Sequence, residues 1–190
     1  MSRDLVYGRN AVREALRGRR RVLELWASER AAAALPWLAD GRRVEVRRER
    51  ELTEAAGTAD HQGVVAWCES YPYADAWTLA AAERPLLVCL DQVTDPHNLG
   101  AVVRSAAGAG ATGVVVPEHR AARVTPAVCR ASAGAVEHLP VAVVTNLGRY
   151  LREIKRDDLW VLAASADGDT VLWDADVVGL LYKANPKDPR

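Results

Sequence analysis

The sequence predicts an α/β protein, a small α/β unit followed by a mainly parallel-sheet α/β unit, and three observations carry that prediction. Leu86 to Leu90 is a short apolar run closed by Asp91, and Gly113 to Val116 is another closed by Pro117, the pattern of strands covered on both faces. Between them Leu99, Val102, Val103 and Ala106 recur at i, i+3, i+4 and i+7, one apolar helical stripe to lay on a sheet. Upstream, helical and strand signals alternate from residue 8 to residue 69.

Taken in order, Asn10 to Leu16 reads as a helix and Val22 to Ala27 as a strand. An alanine-rich helix then runs to Asp40, Val44 to Val46 is a strand, a short helix surrounds Leu52, and Val64 to Cys68 is a strand. Residues 1–69 form the first unit. Ser70 to Pro85 breaks periodicity with prolines and alanines and reads as a linker, so the second unit covers residues 86–190. Asn98 is the expected N-cap of the helix that Gly108 and Gly110 end. Thr125 and Pro126 stand in cap and N1 positions of a further helix that Gly134 closes. Thr145 or Asn146 caps the next helix, with Leu147, Tyr150, Leu151 and Ile154 as its buried stripe. Trp160 to Ala164 is a last strand, whose carboxyl end reaches Ser165 and Asp167.

The loop DQVTDPHN gathers two carboxylates, an imidazole and an amide at the carboxyl end of a strand, where open α/β sheets bind ligands. On the helix it opens, Arg104 has Gly100 and Ala101 one turn before it and Ala107 and Gly108 one turn after. The plain reading is a solvated helix arginine. Against it, the small neighbours supply none of the i, i+4 ion-pair partners that a surface arginine takes, and they let a phosphate or ribose approach closely.

Of 190 residues 49% are hydrophobic and 26% charged, which excludes a disordered chain. The net charge of zero hides an asymmetry: residues 1–50 carry thirteen arginines against seven acids, a balance of +6, offset by −6 in the remainder. Arg17, Arg19, Arg20 and Arg21 flank Gly18, with Arg42, Arg43, Arg47, Arg48 and Arg50 further on. Two readings stay open, a phosphate-binding face for RNA or an arginine-rich solvated surface. No run approaches the roughly 20 apolar residues that span a bilayer, and MSRDLVYGRN lacks a secretory apolar core, so the expected location is cytoplasmic with no membrane partner. Cys68, Cys89 and Cys129 are widely separated and read as buried free thiols, and the four histidines have no mutual metal spacing. No metal is expected; Asp167, Gly168 and Asp169 read as a turn. A GxSxG elbow is missing, and the glycines at 108, 110 and 113 follow the helix instead of preceding it, unlike a dinucleotide loop.

Asp95, Pro96, Asn98, Gly100, Arg104, Ser105 and Ala106 stand as Asp-Pro-x-Asn-x-Gly-(x)3-Arg-Ser-Ala, which resembles the first motif of the SpoU or TrmH-like branch of the SPOUT RNA methyltransferases. VYGRNAVREAL near the start and HQGVVA at His61 to Ala66 look like the substrate-binding domain of that family's ribosomal-RNA guanosine 2′-O-methyltransferases. RASAGAVEHLPVAVVTNL, Arg130 to Leu147, is similar to the segment after the first motif. The resemblance implies methyl transfer from S-adenosylmethionine to a ribose 2′-hydroxyl of ribosomal RNA, with Arg104 and Asn98 as catalytic residues. It also implies a homodimer and cofactor contacts at Ala164 and Ser165, while the basic amino-terminal end is the candidate RNA surface, through Arg9, Arg17, Arg19, Arg20 and Arg21. The chain departs from the family after Gly168, where it carries no Gly-x-Glu-Gly-x-Gly loop, Ile-Pro strand or Ser-Leu-Asn segment. LLYKA, from Leu180 to Ala184, resembles the end of the family's last helix, as if the intervening knot-forming segments were cut out. An SPOUT-like domain incomplete at the knot is therefore expected to leave the strands at 86–90 and 160–164 with exposed apolar faces. A catalytically inactive RNA-binding remnant is the alternative.

Overall fold

The computed structural model describes residues 3–156, 159–164 and 180–184. Its first unit runs β1 (Arg3–Tyr7), α1 (Arg9–Ala15), β2 (Val22–Ala27), α2 (Glu29–Ala34), β3 (Glu45–Val46), α3 (Glu49–Ala56) and β4 (Val64–Glu69). The sheet has the order β1-β4-β2-β3, with β4 antiparallel to both β1 and β2 and a short parallel β2–β3 pair. Alternation does the sorting: Leu25, Ala27, Val64, Ala66 and Cys68 face the core with Ala11, Val12 and Ala15 of α1. The remaining expected helix at the alanine-rich stretch ends at Ala34, because Pro36 starts a separate 3-10 turn. Strand β1 was not among the sequence expectations; it is held in register by β4, from Arg3 opposite Glu69 to Tyr7 opposite Val65.

Inside the expected linker lies a short helix, α4 (Ala76–Ala80), capped by Asp75, whose Oδ1 accepts the Thr78 N–H at 2.7 Å. The second unit follows as β5 (Leu87–Leu90), α5 (Pro96–Gly108), β6 (Gly113–Pro117), α6 (Pro126–Ala131), β7 (Val141–Val144), α7 (Leu147–Ile154), β8 (Trp160–Ala164) and β9 (Leu180–Ala184). Every pairing is parallel and the order is β7-β6-β5-β9-β8. From β5 the chain winds outward through β6 to β7, then returns to the other edge, so the winding direction reverses between β5 and β9. Residue parity sends Leu90, Val114, Val116 and Val141 to the face under α5 and α6, and Leu87, Cys89, Val115, Ala142 and Val144 to the face with α4 and α7.

Two expectations are corrected by the sheet. Leu180–Ala184 is not a helix end: it is a β-strand that pairs with β5 on one side and β8 on the other. Its β-branched-free sequence LLYKA hides the assignment, and the partner strands supply it. The apolar faces of 87–90 are also covered, Leu90 under α5 and α6 and Leu87 and Cys89 under α4 and α7, while β9 pairs with the strand's edge; at the sheet edge Trp160 of β8 remains 66% exposed. The two units share one continuous core, in which Val6 and Val12 join Leu99, Val103 and Val128.

Candidate functional site

The β5–α5 loop emerges at the point where the winding direction reverses, the place where a crevice opens beyond the strand ends of such sheets. Asp95 caps α5, its Oδ1 accepting the His97 N–H at 2.8 Å, and Pro96 takes N1, where the missing N–H costs nothing. This corrects the cap assigned to Asn98. Freed of capping, Asn98 sits exposed in the first turn. Leu99, Val103 and Ala106 are buried against the sheet, as the stripe predicts. Arg104 projects to solvent on the outer side and makes no hydrogen bond or ion pair among the described residues.

Gly100 has a different role from the one expected. It is buried, and a Cβ there would lie 2.5 Å from Ala131 Cβ and 3.0 Å from the Ser132 nitrogen. Its smallness is used by α6, which crosses α5 there, and not by a ligand. Thr125 caps α6 with Pro126 at N1, and Gly134 follows it at φ 86°.

The predicted RNA-binding arginines separate. Arg21 is exposed; Arg17 is exposed and lies 3.4 Å from Glu14. Arg9 Nε donates to the Gln62 carbonyl at 3.3 Å, and Arg19 Nη2 to the His138 carbonyl at 2.8 Å. Arg20 is a correction: it is 5% exposed, and its Nε and Nη2 donate to Glu137 Oε2 and Oε1 at 2.9 and 2.6 Å. Nη1 reaches Asp4 at 3.4 Å, Nη2 also meets Cys129 Sγ at 3.3 Å, and the guanidinium lies over the Tyr71 ring at 5.6 Å. Burial acts to lower its pKa, but the hydrogen bond and charge of Glu137 prevail and raise it. Desolvation in the same network pushes the Cys129 thiol up to about 12. A guanidinium so committed cannot bind RNA phosphate. Glu137, which the sequence reading passed over, is the reason.

Further along the basic stretch, Arg47 pairs with Glu45 at 2.5 Å and lies over the Trp26 ring, while Arg50 pairs with Glu54. All three cysteines are buried thiols outside any disulfide. His61 is also structural: its Nδ1 accepts the Gly63 N–H and its Nε2 meets Thr53 Oγ1, each at 3.0 Å. Among the described residues no group of three metal-ligating side chains comes together, and no helix is long and apolar enough to cross a membrane.

For the methyl-donor cofactor, the relevant row is Leu90, Ala184 and Ala164, which lie side by side at the carboxyl ends of β5, β9 and β8. Carboxyl strand ends are where open parallel sheets take a ligand, so this edge fits one wall of such a site. Ala164 is half-buried; Ser165 lies outside the described residues, as do Asp167 and Asp169.

Comparison with known proteins places these features in a class. The profile described as SpoU rRNA Methylase family matches residues 85–181, and that described as RNA 2'-O ribose methyltransferase substrate binding matches residues 5–74. YacO, a TrmH-family protein of Bacillus subtilis, is 40% identical over 173 residues, covering 86% of this chain and 70% of its own. The 23S rRNA (guanosine-2'-O-)-methyltransferase RlmB of Pseudomonas aeruginosa is 39% identical over 188 residues, covering 93% of this chain and 75% of its own. The crystal structure of the SpoU methyltransferase AviRb from Streptomyces viridochromogenes, in complex with AdoMet, superposes with a TM-score of 0.73 at 27% identity, covering 95% and 71% of the two chains. Fold and site thus define an α/β RNA methyltransferase with a substrate-binding unit ahead of its parallel sheet. Within that class, the chain belongs to the SpoU rRNA methylase family.

Proposed function

We propose that this protein transfers a methyl group from S-adenosylmethionine to a ribose 2′-hydroxyl of a guanosine in 23S ribosomal RNA, as a cytoplasmic homodimer. In this reading residues 1–69 bind the RNA, 86–190 carry the chemistry, and 70–85 join them. The carrying observation is the motif Asp95 to Ala106 at the reversal point of a parallel sheet, with Arg104 exposed and unpaired among the described residues. The cofactor, when bound, supplies an electrophilic methyl on a sulfonium, with Ala164 and the following Ser165 as part of its wall. A ribose hydroxyl is a weak nucleophile, so charge develops on its oxygen as the bond to carbon forms. A guanidinium does not serve as a base in a protein, so the hydroxyl proton is not taken by Arg104. Its part is to clamp the adjacent phosphate with its planar fork and to stabilise the developing alkoxide, while the proton passes to solvent. Asn98, released from capping, presents its amide to the ribose from the first turn of the same helix.

The test is methylation of 23S RNA by the purified chain with radiolabelled S-adenosylmethionine, followed by alkaline hydrolysis. A methylated 2′-oxygen cannot attack its neighbouring phosphate, so the label is expected in an alkali-resistant dinucleotide; label released in mononucleotides would refute ribose methylation. A second reading is favoured by one observation, the lack of a Gly-x-Glu-Gly-x-Gly loop in the sequence. In that reading the chain binds RNA without catalysis. Titration calorimetry separates the two: retained RNA binding with no heat from S-adenosylmethionine identifies the remnant.

A further inference from the structure

Arg130 on α6 belongs to the RASAGAVEH segment, and the site described above leaves its chemistry unused. Its stem crosses from the second unit to the first and lies against Gly8, where a Cβ would stand 2.7 Å from Arg130 Cδ and 2.9 Å from Nε. Gly8 has φ 92°, a conformation that favours glycine, so the seat for this stem is built into the entry to α1. Gln62 borders the same spot: its Oε1 lies 3.5 Å from that Cβ position and accepts the Arg9 N–H at 3.0 Å.

The guanidinium held there is unspent. Arg130 Nε is buried without a hydrogen-bond acceptor, while the outer nitrogens are unpaired among the described residues and are not buried. Arg20 shows how this chain treats an arginine meant for architecture, giving it a bidentate carboxylate. Among the described residues Arg130 receives none. Its chain neighbour Ala131 is the residue that Gly100 accommodates, and Arg104 follows Gly100 by one helical turn on the same face. Arg104 and Arg130 therefore stand on the two helices of one crossing, and Arg130 also reaches Gly8 of the first unit.

We propose that Arg130 is a substrate-positioning residue that binds a phosphodiester of the RNA strand where it passes from the first unit to the α5–α6 crossing. The proposal rests on the RNA-methyltransferase reading and adds to it the residue that links its two halves. Gly8 gives the stem its room, and the outer nitrogens face the phosphate. A guanidinium suits this because its planar nitrogens match phosphate oxygens in pairs.

The experiment measures binding of a fluorescein-labelled RNA hairpin to the full chain over a salt series, with urea unfolding of each variant alongside. Each phosphate contact releases about one counterion, so Arg130→Gln is expected to lower the slope of log affinity against log salt by about one with an unchanged unfolding midpoint. Arg130→Lys keeps the charge and is expected to retain the slope, which also guards against a folding defect in the glutamine variant. Arg149→Ala, on the remote helix α7, leaves the slope unaltered. If the wild type shows a steep slope and Arg130→Gln matches it, the role of Arg130 is overturned while the RNA reading stands. If the wild type holds no RNA even near about 50 mM salt, the RNA reading falls and this proposal with it.

Discussion

The junction between the two units and the outer face of α5 use the same side chain for opposite ends. At the junction Arg20 is enclosed by Glu137, Asp4, Cys129 and Tyr71, and both guanidinium and carboxylate are almost wholly removed from solvent. On α5, Arg104 meets solvent and, among the described residues, no acid. The difference teaches that an arginine's role here is set by whether a carboxylate is delivered to it through the fold, not by the basic run in which it stands. The largest expected effect tests the enclosed side. Arg20→Ala or Glu137→Ala leaves a buried charge without its partner and is expected to cost about 3–5 kcal/mol in urea unfolding, whereas Arg20→Met combined with Glu137→Leu recovers much of that loss. A cost below about 1 kcal/mol for either single change would erase the distinction between the two regions.

The same enclosure makes the junction sensitive to alkali. Burial pushes the Cys68 and Cys129 thiols and the Tyr71 phenol up to about 12, from ordinary values near 9.0 and 10.0. Between those limits the unfolded chain sheds protons that the folded chain retains, so unfolding is favoured as pH rises. Stability from these groups is complete below about pH 9 and declines toward pH 12. Urea midpoints across that range should fall, and Cys129→Ala should flatten the fall. Arg104 variants should follow the wild-type curve throughout.

On the open side, the expected effect is on rate alone. Arg104→Lys retains the charge but loses the fork, so methyl transfer should slow by more than about tenfold, equivalent to about 1.4 kcal/mol in the transition state. Its unfolding free energy should stay within about 0.5 kcal/mol of wild type, as for an exposed side chain without partners. Near-normal turnover would return Arg104 to the solvated-surface reading.

Local pattern made much of this legible in advance. Val22 to Ala27, Trp160 to Ala164 and the stripe Leu147, Tyr150, Leu151 and Ile154 fall where apolar periodicity puts them, and Thr125–Pro126 opens α6 by cap chemistry alone. The misreadings share a non-local cause. Arg20 finds its carboxylate 117 residues away, and Gly100 finds Ala131 on another helix. Strand β1 opens with Arg and Asp and depends on β4 for its register, and LLYKA becomes a strand through β5 and β8. At the motif itself, Asp95 and Asn98 were both competent caps, and the fixed φ of Pro96 decided for Asp95.

The smallest expected effect comes from the residue next to Arg20, and adjacency makes it the sharpest control. Arg21 is exposed, and among the described residues it is engaged through its backbone: its carbonyl accepts the Glu69 N–H at 2.9 Å, a bond that any side chain preserves. Arg21→Ala should therefore change stability by no more than about 0.5 kcal/mol, against the several expected of Arg20→Ala one position earlier. Where the amino-terminal arginines do meet RNA, the same change should lower the salt slope of binding by at most about one, because a single exposed side chain releases a single counterion. Equal losses of stability at positions 20 and 21 would show that charge density in the run, and not the carboxylate of Glu137, separates the two.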